Sequence, residues 1–186
     1  LDECRKLYPG SIVGDPLRSK LGYGAELVSS AVTFKGLEGA EIVLKTLLET
    51  KDYREFLSSK SIRNWHRAVR EEMARVVKQA EKSKEDFPEI GLSVYTIETR
   101  LNLTSAISTR IAEKNPDRTV VIRKRSGSEW KISLRNQSGR VNVGTLAKRC
   151  VRDIGTGGGH KKAAGALVRN WNLFKERLVK CLQTGS

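Results

Sequence analysis

The sequence predicts an α/β fold, a mixed sheet of about four to five strands flanked by helices and preceded by a long linker helix. Three observations predict it. An apolar stripe with helical spacing runs through residues 61–86. After Pro88 the apolar period shortens to two in brief segments. Those segments alternate with helical ones and include one hairpin, the pattern of a mixed sheet with helices packed on it.

Residues 1–35 carry Pro9, Gly10, Gly14, Pro16, Gly22 and Gly24 between short apolar pieces, and we expect there the remnant of a preceding domain. A helical linker region is expected over 36–86 and a compact domain over 87–186. Within 36–58, Leu37, Ala40, Val43, Leu44, Leu47 and Leu48 recur at helical spacing. In 61–86, Ile62, Trp65, Val69, Met73, Val76 and Ala80 fall on one stripe at steps of three or four. Glu71 precedes Arg75 by four, a favourable ion-pair order. Arg63, Arg67, Arg70, Arg75 and Lys78 decorate the rest of that helix. They read either as a rail for nucleic acid or as a solvated face, since Glu71, Glu72 and Glu81 dilute the charge. His66 stands at the edge of the stripe with no assigned role.

Beyond Pro88 a strand is expected over 90–98. Asn102 is placed to cap a helix over 103–114, whose inner face is Leu103, Ala106, Ile107, Arg110 and Ile111. Strands over 119–123 and 129–135 flank the turn Ser126, Gly127, Ser128 and form a hairpin. Asn142 caps a helix that turns Val143, Leu146, Ala147, Cys150 and Val151 inward, with Gly155 at its C-terminal end. A glycine-rich loop follows, then a strand over 163–168 and a last helix from 170 to about 182.

A chain of 186 residues suits one domain, or one and a fraction, and its 38% apolar and 30% charged residues exclude a disordered segment. Lys and Arg number 35 against 21 Asp and Glu, a net charge of +14 that attracts polyanions at long range. Nucleic acid, an anionic membrane and an acidic protein are the partners this fits; a merely basic surface is the plain alternative. Cys4, Cys150 and Cys181 stand far apart with no C-x-x-C pair, against a disulfide framework or a zinc ribbon, so reduced, intracellular thiols are expected. No apolar run approaches membrane-spanning length, and the first residues lack the apolar stretch of a signal peptide. We therefore expect a cytoplasmic location and no membrane partner. Met73 is the only methionine, and we expect the chain to be a fragment of a longer protein.

Two segments carry chemistry. In the first, Gly157, Gly158 and Gly159 have no side chains, so their amides can approach a ligand and converge on one anion. His160, Lys161 and Lys162 add donors and positive charge, and Ala163, Ala164 and Gly165 let two backbones pack closely. Neither the P-loop nor the dinucleotide-binding glycine pattern fits. His160 stands where the first needs its second glycine, and Lys162 where the second needs its third. A plain turn is the other reading. In the second segment, alternation puts Trp130, Ile132 and Leu134 on one side of a strand and Lys131, Ser133 and Arg135 on the other. The planar donor fork of Arg135 matches phosphate oxygens; a solvent-facing strand is the bland alternative.

The stretch KISLRNQSGRVNVGTLAKRC followed by GGGHKKAAG resembles the DHH-associated domain, the C-terminal half of RecJ-type exonucleases, oligoribonucleases and cyclic-dinucleotide phosphodiesterases. The resemblance covers residues 90–182. Residues 36–86 look like the helices that join the two halves in that family, and residues 1–35 match only vaguely. It implies that Arg135 and His160 contact substrate phosphate, that Gly157, Gly158 and Gly159 shape the cradle, and that Ser133 supports it. It also implies a catalytic DHH domain across a cleft, whose aspartates and histidines bind two manganese or magnesium ions. This sequence departs from the family in lacking the Asp-His-His triplet and the D-x-D motif, and it has only His66 and His160. We therefore expect no catalytic residue and no metal or cofactor in the chain itself. The expected function is recognition of nucleic-acid phosphate for a RecJ-like metal-dependent phosphodiesterase or single-strand exonuclease. A non-catalytic scaffold or replication partner, and a tRNA-editing accessory domain like the one that ends alanyl-tRNA synthetases, stay open as alternatives. Expected partners are single-stranded nucleic acid or a short oligonucleotide, the missing DHH domain, and a second copy of the chain through the helix bearing Leu37 to Leu48.

Overall fold

The computed structural model describes residues 19–185. The expectations for Cys4, Pro9, Gly10, Gly14 and Pro16 lie outside the described residues. The chain divides into two compact units, one ending at Glu72 and the other starting at Met73.

The first unit is helical: α1 (Lys20–Lys35), α2 (Leu37–Glu49), α3 (Tyr53–Ser58) and the first half of α4 (Lys60–Lys82). Ser19 starts α1, its Oγ accepting from the Gly22 amide at 3.1 Å. Gly22 and Gly24, read from sequence as punctuation, lie inside this helix. Each glycine costs a helix about 1 kcal/mol, but burying one leucine contributes roughly 1.5–3 kcal/mol. Leu27 and Ala31 of α1 are fully buried against Val43, Phe56 and Ile62, and that burial outweighs the glycines. On α2 only part of the apolar stripe is used: Val43 is buried, whereas Leu37 is 77% exposed, Leu44 58% and Leu48 78%.

The second unit begins with the rest of α4, where Val76 and Ala80 are buried. It continues through β1 (Glu85–Phe87), a 3-10 turn (Pro88–Ile90), β2 (Leu92–Ile97), α5 (Thr104–Lys114), β3 (Thr119–Ser126), β4 (Glu129–Arg135), α6 (Val143–Cys150), β5 (Gly155–Gly159), β6 (Ala163–Val168) and α7 (Trp171–Gln183). The sheet is six-stranded, in the order β1-β2-β3-β4-β6-β5. Only β2 and β3 run parallel, joined by the crossover through α5. The sheet is mixed and helix-flanked as the sequence predicts, with slightly more strands than expected. The added strands, β1 and β5, are the ones without apolar alternation. β1 has three residues, and β5 is Gly-Thr-Gly-Gly-Gly, the segment expected to be a loop.

The two sheet faces are covered differently. Leu92, Val94, Val121, Ile132, Leu134, Ala164, Ala166 and Val168 meet α6 and α7 through Val143, Leu146, Ala147, Cys150, Trp171, Phe174 and Leu178. On the opposite face α5 packs over β3 and β4, while Thr156, Gly165 and Leu167 of β5 and β6 are exposed. Asn142 and Asn170 cap α6 and α7, accepting from Thr145 N at 3.1 Å and Leu173 N at 3.0 Å. Asn102 does not cap α5. Leu103 occupies that position without a side-chain bond, and Asn102 Oδ1 instead accepts from Lys131 Nζ at 2.9 Å. Gly155 does not close α6 either; Val151 does, and Gly155 opens β5.

Candidate functional site

The ladder across β4, β6 and β5 brings most of the expected residues into two adjacent rows. Arg135 pairs with Ala163, and Ala163 exchanges both backbone bonds with His160, at 2.8 and 3.3 Å. Ser133 pairs with Gly165, which pairs with Gly158. Neighbouring strands lie about 4.8 Å apart, so the backbones of Arg135 and His160 are separated by roughly 10 Å. That is within joint reach of an arginine, an imidazole and a bridging phosphate.

The Arg135 guanidinium is held in place by neutral groups. Its Nη2 donates to Ser105 Oγ at 2.7 Å, its Nε to Thr109 Oγ1 at 3.2 Å, and its Nη1 to Leu134 O at 2.9 Å. Ser105 and Thr109 sit one turn apart on α5, over β4. Three of the five guanidinium N–H groups are thereby used and two are left. No carboxylate among the described residues pairs with this cation. Partial burial lowers its pKa from the ordinary arginine value, which means the site already bears the cost of desolvating a charge. A half-buried cation with two spare donors and no carboxylate partner among the described residues has the chemistry to accept an anion.

Ser133 lies beneath α5, away from solvent, its Oγ 2.8 Å from Ser108 Oγ. Ser108 Oγ donates in turn to Ser105 O at 2.8 Å, so the Ser133 hydroxyl is the donor to Ser108. Ser133 therefore ties β4 to the helix that positions Arg135 and is buried beneath it.

The three glycines divide between two tasks. A Cβ on Gly157 would lie 2.9 Å from Val151 Cγ1, and one on Gly159 would lie 2.6 Å from Ala164 Cα, so both fill contacts on the α6 side of the sheet. Gly158 and Gly159 have φ of 156° and 154°, backbone conformations nearly closed to other residues. Because His160 and Ala163 form a hydrogen-bonded pair, alternation turns the Gly157 and Gly159 N–H groups away from β6, off the sheet edge. Lys148 of α6 lies against Gly158, its Cε 3.3 Å from where a Gly158 Cβ would stand.

The β5–β6 turn is clamped through its backbone. Lys161 O accepts from Val143 N at 3.0 Å, and Lys162 O accepts from Asn136 N at 3.1 Å. The side chains of His160, Lys161 and Lys162 stay exposed. Asn136 is fully buried and its side chain spans several segments: Nδ2 donates to Asp117 O at 3.1 Å, and Oδ1 accepts from Ser138 Oγ at 3.1 Å. Sequence reasoning missed Asn136, Ser105, Thr109 and Lys148. Only Asn136, directly after Arg135, had a positional signal.

The described residues bring together no group of three His, Cys, Asp or Glu side chains that could hold a metal. None of the described helices is long and apolar enough to cross a membrane.

Comparison with known proteins matches this unit to a family. The sequence model of the DHHA1 domain matches residues 92–184, half of the chain, including both rows of the site. No curated protein sequence matches. Among solved structures, RecJ from Thermus thermophilus in complex with magnesium superimposes with a TM-score of 0.62 at 23% identity, covering 86% of this chain and 25% of RecJ. The DHH domain of a member of a family of ribosomal proteins gives 0.60 at 17% identity, over 86% of this chain and 41% of that one. The pGpG-specific phosphodiesterase PggH from Vibrio cholerae gives 0.56 at 11% identity, over 89% and 57%. At these identities the likeness is one of fold, and the chain spans about a quarter to somewhat over half of each protein's length. By the match over residues 92–184, the chain belongs to the DHHA1 domain family.

Proposed function

We propose that this chain grips the phosphates of single-stranded nucleic acid or a short oligonucleotide. It does so as the substrate-recognition half of a RecJ-like phosphodiesterase or exonuclease, whose metal-dependent cut is made by a DHH catalytic domain. One observation carries this reading: Arg135 is half-buried, held by Ser105 and Thr109, free of any carboxylate among the described residues, and left with two unused donors. Lys148 beside Gly158 extends the cationic surface, and His160 on the same row adds an imidazole within reach of a phosphate. The net charge of +14 favours a polymer over a small neutral ligand. The exposed leucines of α2 support self-association as a further element of the reading.

The test is fluorescence-anisotropy binding of short single-stranded DNA and RNA across a salt series, with a manganese hydrolysis control. Arg135→Ala removes two charge-assisted bonds to phosphate, so affinity should drop by roughly 1.5–3 kcal/mol, about ten- to a hundred-fold. His160→Ala should weaken binding without unfolding the unit. Ser105→Ala, which removes only an anchor of Arg135, should weaken it less. Unchanged affinity of Arg135→Ala removes this residue from the site and refutes the reading.

A further inference from the structure

The sheet face that carries Arg135 has a second cationic position, at the far end of β4. Lys124 and Lys131 are directly opposite each other in the β3–β4 ladder. Two like charges so placed repel and destabilise a hairpin unless something offsets them. Here nothing acidic does: Lys124 Nζ donates to Leu101 O at 3.1 Å, Lys131 Nζ donates to Asn102 Oδ1 at 2.9 Å, and no carboxylate among the described residues pairs with either. Burial, and secondly Lys131 itself, lower the Lys124 pKa from its ordinary value. The segment leading into α5 thus holds two ammonium groups side by side without a counterion.

The surface between this pair and Arg135 is open. Continuing the rows across β6 and β5, Lys131 leads to Leu167 and Thr156, Ser133 to Gly165 and Gly158, and Arg135 to Ala163. Thr156, Gly165 and Leu167 are exposed, and Gly158 and Ala163 are partly so, because α5 stops over β4. The result is a shelf with a glycine floor, flanked at Gly158 by the Lys148 side chain, an exposed leucine, and cations at both ends. Lys131 and Arg135 are four residues apart on one face, about 14 Å at the rise of a strand, too far for one phosphate and suited to a chain of them.

We infer that Lys131, with Lys124 behind it, is a second phosphate contact on this shelf, so that the ligand is a linear single-stranded polynucleotide whose backbone runs from Arg135 and His160 towards the β3–β4 hairpin. The stretch between lays a sugar or base over Gly165 and against Leu167. This rests on the phosphate-binding reading above and specifies its substrate as longer than a dinucleotide. An acidic protein segment would answer to the same charges but has no use for a flat glycine floor.

Fluorescence anisotropy on the full chain decides it, with fluorescein-labelled oligothymidylate and oligouridylate octamers, the corresponding 5′-phosphorylated dinucleotides, and oligoglutamate as competitor. Lys131→Gln keeps a polar group for Asn102 and removes the charge. It should weaken octamer binding several-fold and lower the salt slope by about 0.7, the value of one single-strand phosphate contact, while leaving dinucleotide binding unchanged. Lys131→Arg should restore the slope, and Arg135→Ala should weaken both probes. An unchanged octamer slope in Lys131→Gln, with Arg135→Ala still defective, overturns the second contact and leaves the first reading intact. Loss of effect in both variants, or no octamer binding by the parent chain, refutes both. Displacement of the octamer by oligoglutamate at equal charge assigns the shelf to an acidic peptide and also overturns the proposal.

Discussion

Replacing Gly144 by alanine tests whether α6 sets the position of the β5–β6 turn. An added Cβ would stand 2.4 Å from Gly159 O, 2.8 Å from Gly159 C and 3.0 Å from His160 O. All three are backbone atoms and none can rotate away, so helix and strand must separate by roughly 1 Å to reach ordinary contact, a form of overpacking that costs about 1–3 kcal/mol. The separation also stretches the 3.0 Å bond from Val143 N to Lys161 O, which contributes about 0.5–1.5 kcal/mol. Alanine returns up to about 1 kcal/mol of helix propensity. The expected net loss is therefore roughly 1–3 kcal/mol in urea unfolding, together with weaker oligonucleotide binding because Gly159 and His160 move. Gly165→Ala is the matched control: a Cβ there meets nothing closer than Ile132 O at 3.7 Å. Stability should hold or rise by about 0.4–1 kcal/mol as the unfolded chain loses freedom, while a methyl on the shelf still impedes the octamer. A Gly144→Ala protein with parental stability and affinity would refute the argument that α6 positions this turn.

Two further predictions concern titrating groups. Cys150 is fully buried, and burial, reinforced by Cys181, pushes its thiol up to about 12 from an ordinary 9.0. A thiol reagent should spare it in the native chain. The unfolded thiol ionises first, so this group's stabilisation is complete below pH 9.0 and declines towards about 12. Cys150→Ala should flatten that alkaline decline in denaturation curves. His66, its Nδ1 2.9 Å from Ser30 Oγ, has its pKa lowered from 6.5 by burial, with Glu26 opposing and Arg70 reinforcing the shift. Its stabilisation is complete above pH 6.5 and is lost as acid protonates the unfolded ring first. His66→Gln should reduce the acid sensitivity of the helical unit, read as the shift of the unfolding midpoint with pH; an unchanged acid limb would refute the assignment. On α2, exposed Leu44 and Leu48 predict concentration-dependent self-association, and a monomer throughout a sedimentation series refutes it.

Where a segment has side chains in a clear period, its reading was direct. Ile132 and Leu134 point to the core because alternation in a strand leaves no other face for them, and Asn142 caps because its side chain reaches the free amides of a first turn. The stripe Ile62, Val69, Val76 and Ala80 is buried along α4 for the same reason. Patterns failed where side chains are missing or where distant partners decide. β5 has only Thr156 among glycines, so nothing in it alternates, and pairing with β6 makes it a strand. α1 contains Gly22 and Gly24, and its helix follows from burial of Leu27 and Ala31 against residues later in the chain. Asn102 lost its expected cap to a partner twenty-nine residues away, Lys131.

By itself the sequence determined the alternating α/β order and the basic excess, because period and charge are local properties of the chain, whereas a joint role for Arg135 and His160, twenty-five residues apart, was implied only by the resemblance to a family. Only the tertiary structure decided which side chains can meet a ligand. Ser133 and Arg135 share a strand face, yet α5 covers the serine and leaves the arginine two free donors, and Thr156, Gly165 and Leu167 of β5 and β6 remain exposed beyond that helix. Which residues a packed helix shields depends on where its axis lies on the sheet, and no local pattern encodes that.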